Sequence, residues 1–600
     1  MTETLVETNL IRGGSFIIQD SKPEDTYIPE EINEDQQMAR SIAKDFVSND
    51  IEPNRAKIEK QQDNISPRLL EKMGELGLLG THIPEEYGGS GMDTNTNTYL
   101  SEDLGVMGSF GVSYAAHTGI GMLPILYFGT EAQKQHYLPK LIAGELKAAY
   151  CLTEPTSGSD ALAAKTRADL SPDGKYYIMN GQKMWISNAG FADIFIVFAK
   201  IGGTQFTGFI VERNSEGLTL GAEEDKLGIK GSSTRQVFFE NVKVPVDNLL
   251  GEAGKGHLIA FNALNVGRFK IGPMTVGAVK VIATMSVRYA NERIQFKQPI
   301  SNFGAIQYKL AEMAIRNFAI ESTIYRVSNW IQEKIHILRE QGATYAEAAL
   351  QAAEEYAIEC SLIKIVGSET SGYVVDENLQ IHGGMGFSEE MPAARAYRDS
   401  RINRIYEGTN EINRMLMVDQ LLKRAMKGAL DLVGPAWAVQ KELASMPSMD
   451  RPQGDYAEEK AALKDFKKII LMVAGGAVKM QMDGKLDLRN EQEILMNVAD
   501  LMIDVINSES TLLRIEKLKG MANKPASQEV YDAVLKVQFT DASARIHKNA
   551  SDALASFAEG DLLKTFLMGL KRFTKYTPAN VKVCRRTIAK AMIDKNEYCL

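Results

Sequence analysis

Between about residues 31 and 150, apolar positions recur at i, i+3 and i+4, the spacing that lines one face of an α-helix. IAKDFVSNDIEPN (42–54) runs into a proline, LLEKMGELGLLG (69–80) stops at a glycine, and EAQKQHYLPKLIAGE (131–145) carries the same apolar stripe. From Cys151 to about residue 253 the period drops to two. DIFIVFA (193–199) and QVFFENVKV (236–244) read as strands, and SPDG (171–174) as a turn between short runs. Helical spacing returns over 254–430 in long segments, 259–294 and 308–335 among them, whose length favours a bundle. SMPSMDRPQGDY (445–456) interrupts it as a linker, and mainly helical patterning continues over 456–600. The expectation is an α+β chain, mainly α: helices at 31–150, a compact β region at 151–253, a bundle at 254–430 and further helices at 456–600. A groove between a bundle and a sheet is a common place for a cofactor.

Composition narrows the function classes. With 600 residues, 44% of them hydrophobic and 24% charged, the chain has material for two to four ordinary cores. A net charge of −9, with no lysine- and arginine-rich run among aromatics, argues against nucleic acid as a partner. Cys151, Cys360, Cys584 and Cys599 are far apart, and the seven histidines never fall at ligand spacing, so neither a disulfide framework nor a metal site is expected. The opening MTETLVETNLIR has no apolar h-region, and no run reaches 18 uninterrupted apolar residues. An intracellular, cytoplasmic protein that does not span a membrane is expected.

Four stretches carry candidate chemistry. AYCLTEPTSGSDALA (149–163) is a loop whose N–H groups and hydroxyls suit an oxyanion or the polar edge of a planar cofactor; it is as readily a plain connection. NGQKMWISNAG (180–190) sets Trp185 beside Ser187 in an expected strand. The indole offers a flat apolar wall and the hydroxyl a donor, although a tryptophan in a strand is more often core. QIHGGMGFSEEMPAARAYRD (380–399) has glycines at 383, 384 and 386 that permit close backbone approach, without the spacing of a dinucleotide fingerprint. Arg395, Arg398, Arg401 and Arg404 follow at three-residue intervals, most plainly a solvated helix face paired with Asp399. RIYEGTNEINR (404–414) places Glu407 in the turn before a helix capped by Thr409. An acid there caps or pairs with an arginine, or serves as a base.

CLTEPTSGSDALA and QIHGGMGFSEEMPAARAYRD, joined by WIS and IYEGT, resemble the signatures of the acyl-CoA dehydrogenase family, in a match spanning residues 35–425. NALNVGR, NERIQFKQPISNFGAIQ and the C-terminal extension resemble its very-long-chain branch. The resemblance implies an N-terminal helical domain, a middle β-barrel domain and a four-helix bundle around FAD and an acyl-CoA thioester, followed by an additional helical domain. It implies α,β-dehydrogenation to the trans-2-enoyl-CoA in fatty acid β-oxidation, with Glu407 taking the α-proton and hydride passing to flavin N5. Tyr150, Leu152, Thr153 and Ser159 are implied along the flavin and the thioester, and Trp185, Ile186 and Ser187 along the isoalloxazine. Arg293, Phe296, Gln380, Gly383 and Gly384 are implied at a neighbouring subunit's FAD, and Thr409 and Glu411 on the cofactor. Asn265 and Arg268 are implied at the CoA portion, with Tyr406 and Gly408 flanking the reacting carbons. A homodimer and an electron-transferring flavoprotein as acceptor follow from the same resemblance.

There are departures. Lys297 stands where a glycine usually follows the phenylalanine, and Gly304 where many shorter-chain relatives have glutamine. Some branches place their base before the arginine of the helix reading NALNVGRF here; that position is Gly267, so Glu407 has no competitor. SYAAHTGIGMLP (113–124) is rich in small residues where the family's acyl pocket ends, which favours a long acyl chain. Each buried methylene is worth about 0.8 kcal/mol. DFKKIILMVAGGAVKMQM (465–482) has an apolar core of about ten residues, too short to span a bilayer. Packing on the bundle is the plainer reading, and peripheral membrane contact, as in the very-long-chain branch, the other. Two rivals share the frame: an acyl-CoA oxidase-type flavoenzyme, and a scaffold or assembly protein with little turnover. Intact Glu407, Trp185 and Ser187 argue against loss of catalysis, and so against the scaffold, while the oxidase keeps the same residues and stays open.

Overall fold

The computed structural model describes residues 10–443, 445 and 453–600, so most of the expected linker at 445–456 lies outside the described residues. The first region folds as α1 (Glu34–Phe46), α2 (Ile65–Glu75), α3 (Thr94–Leu104), α4 (Ser109–Ala115), α5 (Leu123–Phe128) and α6 (Glu131–Ile142). Polar side chains start three of them by accepting an otherwise orphaned N–H: Asn33 from Gln36 at 2.8 Å, Asp93 from Thr96 at 2.6 Å and Thr130 from Gln133 at 3.2 Å. Between α4 and α5 the chain widens into a π-helical turn at Ala116–Gly121.

The β region comprises β1 (Ala148–Cys151), β2 (Arg167–Leu170), β3 (Tyr176–Ser187), β4 (Ile194–Ile201), β5 (Gln205–Glu212), β6 (Leu218–Glu223), β7 (Thr234–Pro245) and β8 (Leu249–Leu250). They pair in the order β6-β7-β3-β2-β4-β5-β8, with β1 parallel to β4. SPDG turns between β2 and β3, Gly174 N–H donating to Ser171 O at 2.9 Å. The unbroken apolar run of β4 has a physical cause: Phe195, Val197 and Ala199 face the sheet's own core, while Ile194, Ile196 and Phe198 face the core shared with α5 and α6.

The bundle consists of α7 (Gly256–Glu292), α8 (Gly304–Glu340), α9 (Tyr345–Glu355), α10 (Ala357–His382), α11 (Pro392–Ser400) and α12 (Asn410–Met426). Helix α7 crosses α3 so closely that a Cβ on Gly277 would stand 1.9 Å from Glu102 O. Beyond it lie α13 (Val433–Leu443), α14 (Ala457–Met482), α15 (Gln492–Lys519), α16 (Gln528–Phe557), α17 (Gly560–Phe573) and α18 (Val581–Lys595). These are not a detached appendage. Phe318 of α8 meets Tyr531 of α16 with ring centroids 5.6 Å apart, and one continuous apolar core joins the two sets of helices.

Residues 10–30 precede the first expected region, yet they are structural. Phe16, Ile17 and Ile28 enter that same core. Lys467 of α14 donates to Gln19 O at 2.7 Å, and Arg326 of α8 donates to Ser21 Oγ at 2.7 Å. Under this strap runs a buried ionic network: Arg514 meets Glu321 at 2.7 Å and Glu30 at 2.6 Å, while Arg326 and Lys467 share Glu509 at 2.9 and 2.7 Å. No helix among the described residues is long and apolar enough to cross a membrane.

Candidate active site

Glu407 has φ +57° and Gly408 φ +80°, two left-handed residues in succession just before α12. A non-glycine residue held there carries about 1–3 kcal/mol of strain, so its surroundings must fix it. Thr409 caps α12 by accepting from Ile412 N–H at 3.3 Å. Asn413 Nδ2 donates to the carbonyls of Gly408 at 2.8 Å, Thr409 at 3.0 Å and Glu407 at 3.3 Å. Lys364 from α10 donates to Gly408 O and Asn410 Oδ1, both at 2.8 Å. Arg268 from α7 donates through Nε to Glu407 O at 3.0 Å. Every one of these donors holds backbone or a neighbour, and none takes the carboxylate. Glu407 Oε2 is buried with no hydrogen-bond partner. Burial pushes the carboxyl up to about 7, against the downward pull of Arg268 and Lys364.

A Cβ built on Gly267 would lie 3.0 Å from the carboxyl carbon and both oxygens of Glu407. The glycine therefore leaves the room that the carboxylate fills, and position 267 faces the same point in space. Glu407, Tyr406, Ser187 and Gly267 line one cavity of about 560 Å³. Its wall on α7 extends from Val266 to Met285, about 28 Å of helix at 1.5 Å per residue. Across from α7, Tyr114, Ala115, Thr118, Gly119 and Leu123 of the small-residue segment form the opposite wall. A Cβ on Gly119 would meet nothing within 4 Å.

On the sheet side, the pairing of β3 with β7 shifts register between Lys183 and Ile186, and Trp185 has φ +59°. A bulge re-aims the side chains around it. Trp185 is 53% exposed rather than core, Ile186 is 2% exposed, and Ser187 reaches the cavity. The 152–166 loop is more than a connection, because Lys183 and Glu154 form a buried ion pair at 2.7 Å inside it. Glu154 also accepts from the N–H groups of Lys165 (2.5 Å) and Thr166 (3.1 Å), and Lys183 donates to Leu152 O at 3.2 Å. Thr153 O accepts from Met184 N–H at 3.0 Å. Leu152 and Thr153 are half-buried on this scaffold, and Ser159 is exposed.

Several of the expected residues have side chains engaged within the protein itself. Tyr150 is buried edge-on against Phe198, 5.2 Å between ring centroids, and its hydroxyl points toward Ala260 O on α7. Ile186 belongs to the sheet core, so its side chain forms no open wall. Asn265 and Arg268 turn inward, Arg268 Nη1 donating to Asn265 Oδ1 at 2.9 Å, because a buried guanidinium must have its donors met. The tyrosine hydroxyl of Tyr406 bonds Asn403. Among the described residues Asp399 pairs with no arginine: it accepts from Ile229 N–H at 2.5 Å, and Arg398 reaches Glu389 at 2.6 Å instead. Burial pushes Asp399 up to about 6.

A second set lies outside the cavity. Gln295 and Gln298 pair across a two-residue turn formed by Phe296 (φ +50°) and Lys297 (φ +67°). Hairpin turns of this kind need positive φ at both central residues, which explains why glycine is usual at 297. Phe296 is 88% exposed, and Arg293 is exposed on the same hairpin. Tyr289 stacks on His382 with centroids 4.1 Å apart, which places the hairpin beside the end of α10. Gln380, Gly383 and Gly384 are exposed there, and a Cβ on either glycine would meet nothing within 4 Å. Glu411 is exposed in the first turn of α12. Sequence reasoning passed over Lys364, Asn413, Lys183 and Glu154. Lys364 was detectable as a single charge inside an apolar run, SLIKIVG, whereas Lys183 follows the polar NGQ and stands out by nothing local.

Family models match four consecutive parts of the chain: acyl-CoA dehydrogenase N-terminal domain at 33–145, middle domain at 149–242, and two described as C-terminal domain at 254–422 and 465–572. A probable acyl-CoA dehydrogenase of Bacillus subtilis is 45% identical over 588 residues, 98% of either chain. The very long-chain specific mitochondrial acyl-CoA dehydrogenase of Bos taurus is 36% identical, covering 90% of this chain and 83% of that protein. A crystal structure of an acyl-CoA dehydrogenase complexed with FAD from Bacillus anthracis superposes with TM-score 0.94 at 44% identity, covering 98% of this chain and 100% of the other.

Proposed function

Because this chain belongs to the acyl-CoA dehydrogenase family of FAD-dependent oxidoreductases, we propose that it dehydrogenates long-chain acyl-CoA thioesters in fatty acid β-oxidation with Glu407 as the base. One observation carries this reading: an unpartnered, buried carboxylate oxygen on the wall of a long, mainly apolar cavity, fixed by a backbone turn that leaves it free. The residues present fit FAD. Trp185 is turned outward by the bulge, Ser187 borders the cavity, and Phe296 with Gly383 and Gly384 offers an open, backbone-accessible face to a second subunit's cofactor. When bound, FAD supplies the acceptor for the hydride lost from the β-carbon. Glu407 takes the α-proton at its free oxygen, and burial keeps that oxygen basic enough to do so. The Glu407 N–H meets no acceptor among the described residues and is available to the thioester oxygen, whose negative charge grows as the proton leaves.

Chain length rests on the reach of the cavity along α7 and on the small residues opposite. The purified yellow protein, mixed anaerobically with acyl-CoAs, is expected to bleach and to favour palmitoyl-CoA over butyryl-CoA by about 10²-fold or more in kcat/KM, since each further buried methylene adds affinity. An optimum at butyryl-CoA would exclude the long-chain reading, and fast reoxidation in air would replace the dehydrogenase by an oxidase. The same reading makes an electron-transferring flavoprotein the acceptor and the exposed Phe296 hairpin part of a homodimer. Exposed Leu562, Leu567 and Met568 on α17 support peripheral membrane contact. Sedimentation of the holoprotein, alone and with anionic vesicles, reads both: a monomer removes the dimer, and a protein left in the supernatant removes the membrane contact.

A further inference from the structure

Lys270 is a buried amine with no anionic partner among the described residues. It projects from α7 into the same cavity, one helical turn and about 4.5 Å of rise beyond Gly267. Its Nζ donates to Thr118 Oγ1 at 2.7 Å and sits 4.3 Å from the centroid of the Tyr114 ring. Thr118 Oγ1 spends its own proton on Tyr114 O at 2.9 Å, so it can only accept from the lysine. An ammonium has three donors, and this one uses a single donor on protein. No aspartate or glutamate among the described residues compensates it, and burial alone acts on it, pushing the amine down to about 7. His82 also lines the cavity; burial and the neighbouring Lys270 push its imidazole down to about 3, so it stays neutral and adds no second cation. Lys270 does not act on the base: the groups that pull on Glu407 are Arg268 and Lys364.

A channel meant only for hydrocarbon gains nothing from a charged group whose burial is unfavourable unless it is paired. Thr118 meets the amine from within the π-helical turn, a helix irregularity frequent at functional sites. We propose that Lys270, oriented by its bond to Thr118, is a subsite for a carboxylate carried on the acyl chain, so that the protein takes CoA monothioesters of dicarboxylic acids. The inference rests on reading the cavity as the acyl channel. Unsubstituted chains continue past the lysine along its methylene stem toward Met285.

The test pairs each dicarboxylic monothioester of CoA with the alkanoyl-CoA of equal length, adipyl with hexanoyl, suberyl with octanoyl, sebacyl with decanoyl. The readout is the ratio of kcat/KM values in the FAD-loaded protein, together with the binding constant from the flavin's spectral shift. At the length that brings the carboxylate to Lys270, Lys270→Met is expected to lower the ratio by about 10-fold or more, the size of one charge-assisted hydrogen bond. Lys270→Arg, which keeps the charge, is expected to hold a ratio above that of Lys270→Met. Equal ratios in wild type and Lys270→Met, equal ratios in the two variants, or no turnover of any dicarboxylic thioester would each overturn the subsite. If alkanoyl-CoAs also leave the flavin unbleached, the acyl-channel reading itself fails, a distinguishable result.

Discussion

Glu407→Gln will keep bound yellow FAD and lose dehydrogenation by about 10²–10⁴-fold, the usual worth of a positioned proton-transfer group. Glutamine has nearly the same shape, so the left-handed turn held by Arg268, Lys364 and Asn413 stays in place. What disappears is the lone pair at the buried oxygen. The wild-type rate should rise with pH through about 7, because the base must be ionised and burial has raised its carboxyl to that value from 4.5. The stability consequence has the opposite sign. Between the unfolded and folded values the native state holds a proton that the unfolded chain has released, so stability falls as pH rises from 4.5 to about 7. Above that window the ionised carboxylate destabilises the fold by on the order of 3 kcal/mol, and Glu407→Gln removes the penalty. The variant should therefore unfold at higher denaturant at pH 8 while failing to bleach with palmitoyl-CoA. Near-normal turnover would refute the assignment of the base.

Much of this arrangement was legible from residue patterns. A short apolar run marked β4, alternation marked β7, helical spacing marked α7 and α8, and the turn before α12 was visible in the glycine and the Thr409 cap. What stayed hidden depends on geometry that no local pattern carries. A bulge between Lys183 and Ile186 decides that Trp185 faces out and Ile186 faces in, and alternation alone cannot place a bulge. Lys297 looked like an arbitrary departure until its φ of +67° showed it in a position that glycine fits without strain. The inward turn of Asn265 and Arg268 follows from the carbonyl of Glu407, more than a hundred residues away in sequence. The strap at 10–30 has too few apolar residues to announce itself, and its fit depends on partners from α8, α14 and α15.

Those long-range partners set the second large effect. Arg514→Met will weaken the fold by about 3–5 kcal/mol, the range for breaking a buried ion pair by removing one member. Arg514 is almost fully buried, bonded to Glu321 of α8 and Glu30 of the strap, and its guanidinium lies 4.0 Å from the centroid of the Phe318 ring. Methionine keeps most of the volume and the apolar contact with Phe318, so the loss reports the charges. Glu321 retains Lys280 as a partner, but Glu30 is left buried without a cation. Unfolding should therefore begin where α15 meets the strap, and limited proteolysis should cut residues 10–30 earlier than in wild type. Adding Glu30→Gln to Arg514→Met is expected to recover part of the loss, because the uncompensated carboxylate is its main source. The deficit should persist in high salt, since a network this deep is poorly screened. If Arg514→Met alone costs less than about 1 kcal/mol, the range of an exposed pair, or if Glu30→Gln adds to its loss instead of relieving it, the network does not hold α8, α15 and the strap together.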